Sequence, residues 1–262
     1  MITASLFYRH QDLAPIARTT NRDIERVAAA FRKQLSAEDR VALNLEDLRK
    51  VEALNVNGVH FEVWSDLTRP LFDTSGVKVP GIFEFLPEIE YDAVNVRVSP
   101  ADERFTHETV LSTFAHELGH AVFEGPFLIN ERRTNYRFGE PVEAYRVTEF
   151  EGARPEARLS DAVIRSEWRA NQFMGCLLVP REQLFQTIED IAQRHQFVLD
   201  FDDVVLEGPG AGEPRIVCQS SDFDGHLYDL IGHLGLIFGV SPYFVNTRMK
   251  RYGLIDESTS IY

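Results

Sequence analysis

Cysteine is almost missing from this chain: Cys176 and Cys218 are the only two in 262 residues. Neither belongs to a C-x-x-C pair, so no disulfide framework is implied. Cys176 falls in an apolar helical stretch and reads as a buried structural thiol. No run approaches 18 consecutive apolar residues, which excludes a transmembrane helix by length. The first ten residues lack the apolar stretch of a secretory signal, so the expected setting is cytoplasmic. Positive charge is also scarce. Lys and Arg number 27 against 41 Asp and Glu, a net charge of −14. That balance argues against a broad surface for nucleic acid or for an anionic membrane. The chain holds no internal repeat and no low-complexity tract.

What is present is an ordinary apolar fraction and a length that suits one large or two modest domains. Ile24, Val27, Ala28, Phe31 and Leu35 recur at helical spacing, with Asn21 as the expected cap. Leu45 to Leu54 reads as a second helix ended by Asn57-Gly58. Val59 to Trp64 alternates as a strand, and His60 on it reads as structural. Ile82–Leu86 and Ala93–Val98 follow as a hairpin or adjacent strands. An edge strand at this point could hold an extended peptide by main-chain hydrogen bonds. Residues 124–160 carry no sustained period and read as a long loop with short elements. Strong helical patterns then run from Asp161 to Val179 and from Arg181 to about His195. Residues 200–214 read as a loop, and 215–219 as a short strand. Two helices flank Gly239-Val-Ser-Pro242 in a helix-turn-helix-like pattern. Tyr243, Phe244 and Met249 favour packing over DNA reading for that segment. The expected organisation is an N-terminal helical region at 1–57, a core at 58–199 with an insertion at 124–160, and a C-terminal helical segment at 200–262.

The chemistry concentrates in Leu111-Ser-Thr-Phe-Ala-His-Glu-Leu-Gly-His-Ala-Val-Phe123, which contains H-E-x-x-H. With 8 His and 24 Glu in the chain, chance would supply about 0.02 such motifs. Leu111, Phe114, Ala115, Leu118 and Val122 place the motif on a helix, which is expected to begin near Thr106. His116 and His120 then share a face and aim two imidazoles at one point. They are candidate metal ligands, and Glu117 is the candidate general base. A catalytic zinc takes three protein ligands and leaves one position open. Phe123 and Pro126 stand where a metzincin has Gly and His, so that class is excluded. The third ligand is therefore sought as a carboxylate on a second helix. Glu167 is the best candidate, since Val163, Ile164, Met174 and Leu178 form an apolar stripe around it and Asn171. Asn171 could serve as an outer hydrogen-bonding group. Glu124, Glu143 and Asp161 are weaker alternatives. Tyr136, Tyr145, His107, His226 and His233 are candidates to stabilise an oxyanion, and spacing selects none of them.

Phe114-Ala-His-Glu-Leu-Gly-His120, the strand pair before it, Glu167-Trp-Arg-Ala-Asn-Gln-Phe173 and Leu177-Leu-Val-Pro180 together resemble the ImmA/IrrE family of metallopeptidases. Gly239-Val-Ser, Val245 and Arg248 to Leu254 resemble that family's closing segment. The likeness runs roughly from Val59 to Ile255, and the segment between His120 and Glu167 is longer than the family pattern. The resemblance implies an α+β, zincin-like fold: a small sheet packed on the two metal-bearing helices. It implies His116, His120 and Glu167 as ligands, Glu117 as base, and zinc as the metal, with manganese or iron able to use the same ligands. It also implies a protein substrate of the DNA-binding repressor type, in stress response or mobile-element control. A second reading is a non-proteolytic binding module, an antitoxin-like partner or a transcription regulator using residues 227–252. Retention of Glu117 with all three ligands favours the enzyme, because docking needs no base.

Overall fold

Alternation along the strands builds a sheet with one apolar face. In the computed structural model, Ile2–Ala4 (β1), Ala53–Val56 (β2), Val59–Asp66 (β3), Gly81–Phe85 (β6), Ala93–Val98 (β7) and Tyr145–Thr148 (β8) form a six-stranded sheet. Leu71–Phe72 (β4) and Lys78–Val79 (β5) pair separately between them. The strand order is β1-β2-β3-β7-β6-β8. β1 runs parallel to β2 and β3 parallel to β7, while the other pairs are antiparallel. The register places Leu54, Phe61, Val63, Val94, Val96 and Phe83 on one face, and all six are buried. His60, Glu62 and Trp64 on the opposite face are exposed. The residues described are 1–6, 19–35, 40–73, 75–85, 91–138, 145–148, 161–191, 194, 197–200, 215–218 and 222–256.

Helices cover the apolar face. Asn21–Leu35 (α1) lies against β1, His107–Phe123 (α3) crosses β6 and β7, and Gly125–Phe138 (α4) lies against β3. Thr20 rather than Asn21 caps α1. Its hydroxyl accepts from Asp23 N, and the Asp23 carboxylate accepts from Thr20 N at 3.0 Å, a reciprocal capping box. Thr106 caps α3 as expected. Asp161–Leu178 (α5) enters the same core. The Phe173 ring meets Phe31 edge-on at 5.4 Å and Phe123 at 6.0 Å. Buried Arg32 donates from α1 to Leu177 O at 2.6 Å, to Arg40 O and to Val41 O. Burial lowers its pKa to about 10 against the support of Asp47.

Four expectations need correction. The helix expected over 45–54 is short, Leu45–Arg49 (α2), capped by Asn44 and Asp47. Residues 53–56 are strand β2, and Asn57-Gly58 is the hairpin turn into β3, with φ of 50° and 83°. Two consecutive positive φ values are what a two-residue primed turn requires. Residues 1–57 therefore supply two strands of the main sheet and are not a separate helical region; the chain divides into units 1–177 and 178–262. The segment 124–160 contains the 14-residue helix α4 and the strand β8. Pro126 stops α3 from continuing, yet fits the first turn of α4, where an N–H has no helical partner. Because β8 pairs along β6, the strand pair preceding the motif helix has no open edge beside β6; among the described residues the sheet ends at β1 and β8.

The second unit comprises Arg181–Ile191 (α6), the hairpin Phe197–Asp200 (β9) with Arg215–Cys218 (β10), Phe223–Phe238 (α7) and Pro242–Arg251 (α8). Residues 201–214 lie outside those described. α7 ends at left-handed Gly239, and Ser241 with Pro242 starts α8, so the two helices meet at 104°. Val245, Arg248 and Met249 are buried, and Arg248 lies 4.3 Å from the Tyr252 ring. No single helix among the described residues is long and apolar enough to cross a membrane. The chain is an α+β protein.

Replacing Arg32 by Met leaves three backbone carbonyls without their donor. We expect R32M to lower the unfolding free energy by ~3 kcal/mol in urea titration; an unchanged midpoint would contradict the role given to Arg32.

Candidate metal centre

α3 and α5 approach closely because Gly119 has no side chain. A Cβ there would sit 2.9 Å from Ala170 Cα and 3.3 Å from its carbonyl oxygen. This contact lies between the two histidines and sets Glu167 against them. His116 Nε2 and His120 Nε2 are 3.1 Å apart. Glu167 Oε2 lies 3.3 Å from His116 Nε2, and Oε1 lies 3.5 Å from His120 Nε2. Both imidazoles are fully buried. Ligands about 2.0–2.1 Å from a tetrahedral zinc lie about 3.3 Å from one another. The three side chains are thus spaced as such an ion requires, and this His116–His120–Glu167 group could hold a metal ion.

Phe83 of β6 stacks on the His120 ring at 5.9 Å, fixing one of its faces. The far edge of that ring is engaged as well. Nδ1 lies 3.2 Å from Glu124 Oε2 and 3.3 Å from Ser166 Oγ. Arg169 closes the arrangement with an ion pair to Glu124 Oε1. Glu117 is fully buried, with its carboxylate against the backbone of Gly81. A Cβ at Gly81 would meet Glu117 Oε1 at 2.5 Å and Thr113 Cγ2 at 2.4 Å, so glycine at the start of β6 makes the space that the glutamate occupies.

The structure brings together His116, His120 and Glu167 and sets Glu117 beside His116 on the same helix. Glu124, held at Nδ1, faces away from the point where the Nε2 atoms converge and does not complete the ligand set. Asp161 opens α5 six residues before Glu167, about 9 Å of helix rise away. Glu143 lies outside the described residues. His107 is exposed at the start of α3, about 13 Å of rise before His116. His226 and His233 belong to the second unit; Tyr136 and Tyr145 fall in α4 and β8, and their side chains are outside the described set. The structure brings Glu167 to the two histidines, but the stripe expected around it is not the buried face of α5. Val163 and Ile164 are 38% and 53% exposed, while Ser166 and Arg169 are buried. The outer hydrogen bonds to His120 come from Glu124 and Ser166 rather than from half-buried Asn171. Sequence reasoning passed over Ser166, Arg169 and Gly81. The spacing of Glu124, four residues after His120, was the one available signal.

Comparisons with protein-family models, with curated proteins and with solved structures give no match.

Burial opposes a charge on His120, but the hydrogen bonds and negative charge of Glu124 and Glu167 outweigh it and raise its pKa to about 9. Burial likewise pushes Glu167 upward, and the two histidines outweigh it, bringing the carboxyl to about 2. Burial also opposes ionisation of Glu124, which His120 and Arg169 nonetheless hold below its ordinary value. In the metal-free protein, the stabilisation from the His120 proton is complete below its ordinary 6.5 and is lost as pH rises through about 9. That from Glu167 is present above its ordinary 4.5 and is lost only toward pH 2. Metal must displace the His120 proton, so apparent affinity should rise about tenfold per pH unit as pH climbs from 7 and level off near 9. Chelator-competition titration across this range checks it, and pH-independent binding would contradict it.

Proposed function

We propose that the chain is a metal-dependent endopeptidase with a zincin-like core, acting on a specific protein. The supporting observation is the convergence of His116, His120 and Glu167 from two helices, with buried Glu117 adjacent. A thiolate-free donor set of two imidazoles and one carboxylate suits zinc, and leaves room for a fourth, non-protein ligand. Held there, such an ion supplies Lewis acidity, which makes water a nucleophile near neutral pH and polarises a carbonyl. His116 and His120 present their Nε2 lone pairs to it, and Glu167 offsets its charge. Glu117 takes the proton of the attacking water on a carboxylate oxygen and delivers it to the leaving amine. Gly81 and Thr113 fix where that carboxylate stands. Among the described residues the sheet ends in β8 beyond β6, and an extended peptide would be held by main-chain hydrogen bonds at such an edge.

By the resemblance of the two metal helices to the ImmA/IrrE pattern, the substrate in this reading is a helix-turn-helix repressor-type regulator inside the cell. A docking module would have no use for a buried carboxylate beside the ligands, which disfavours the non-proteolytic alternative.

The test is co-expression with regulator proteins encoded beside the gene. Wild type should cleave one of them, and Glu117→Gln should keep its metal while losing about 10²- to 10⁴-fold in rate. Cleavage by the variant at the wild-type rate would overturn the mechanism.

A further inference from the structure

We propose that Glu124 and Arg169 are positioning residues that aim His120 at the metal. This rests on the metal-site reading above. The two oxygens of Glu124 have divided tasks: Oε2 faces His120 Nδ1 at 3.2 Å, and Oε1 pairs with Arg169. A carboxylate held by both oxygens cannot swing away from the ring. A ring engaged at Nδ1 keeps its proton there and leaves the Nε2 lone pair for the ion.

Burial separates this arrangement from an ordinary surface ion pair. Glu124 is 4% exposed, Arg169 3% and Ser166 4%. Two buried charges cost desolvation that a simple helix tie, made by apolar residues, would avoid. Their placement gives them a use. Glu124 follows His120 by one turn of α3, and Arg169 follows Glu167 by two residues of α5. The pair therefore fixes, at one point, both helices that carry ligands. Phe83 on the face of the His120 ring and Glu124 at its edge leave Nε2 as the end directed at the metal.

The experiment replaces both partners together, Glu124→Leu with Arg169→Met, so that no buried charge is stranded. Metal-free thermal unfolding, cobalt affinity by chelator competition, and the exchangeable, hyperfine-shifted Nδ1–H resonances of the cobalt-loaded protein are read in parallel. The expected result is a folded protein that binds cobalt about 10- to 100-fold more weakly, with the His120 Nδ1–H signal lost to exchange with water. Arg169→Lys, which keeps a charge near Glu124, should bind cobalt more tightly than Arg169→Met. If the double variant does not fold, Glu124→Gln carries the same comparison. Wild-type cobalt affinity with an unchanged Nδ1–H resonance in the variant would overturn the positioning role while leaving the metal site intact. Failure of the wild-type protein to take up cobalt would overturn both.

Discussion

The contact between Gly119 and Ala170 is the constraint on which the candidate centre depends. Glu167 of α5 comes within 3.3–3.5 Å of the two α3 imidazoles only if the helix backbones pack without a side chain between them. Close packing of this kind is maintained by the core around it. Phe173, one turn beyond Ala170, is held edge-on by Phe31 and Phe123, and Arg32 ties α1 to the last turn of α5. Two buried imidazoles and a half-buried carboxylate sit at the contact. Burial opposes charge on both His120 and Glu167, yet the carboxylates of Glu124 and Glu167 raise the pKa of His120 and the two histidines lower that of Glu167.

The sheet contributes position more than chemistry. Its buried face carries Phe83 onto the His120 ring and sets Gly81 over the Glu117 carboxylate. A strand that alternates strictly delivers residues 81 and 83 to the same side, so Glu117 and His120 are both fixed by a single strand. On the opposite face His60, Glu62 and Trp64 are exposed, while Ile82 is buried there with Leu71 and Val79. Within this unit α1, α3 and α4 are arranged over the buried face.

Much of this was legible in the residue order, because it was local. Two histidines four apart on a helix share a face whatever surrounds them, and Val59 to Trp64 alternates visibly. Glu167 was found because a carboxylate amid Val163, Ile164, Met174 and Leu178 looked anomalous. Those first two side chains are in fact exposed, and the buried polar positions are one step round, at Ser166 and Arg169. Ser166 meets His120 and Arg169 pairs with Glu124, each more than forty residues earlier, and no periodicity encodes such pairings. Asn57-Gly58 was misread for a related reason. The same dipeptide can end a helix or turn a hairpin, and only the antiparallel pairing of β2 with β3 shows which applies. The break at Pro126 was visible, but a proline can end one helix or start another. Here it does both.

X-ray absorption at the zinc edge, on protein loaded with one equivalent of zinc, tests the central claim most directly. The account predicts a first shell of nitrogen and oxygen only, at about 2.0–2.1 Å, with two imidazoles, one carboxylate and one exchangeable oxygen. The imidazole scattering should fall by half in the His116→Ala variant. A shell containing sulfur, or one unchanged by that substitution, would contradict it.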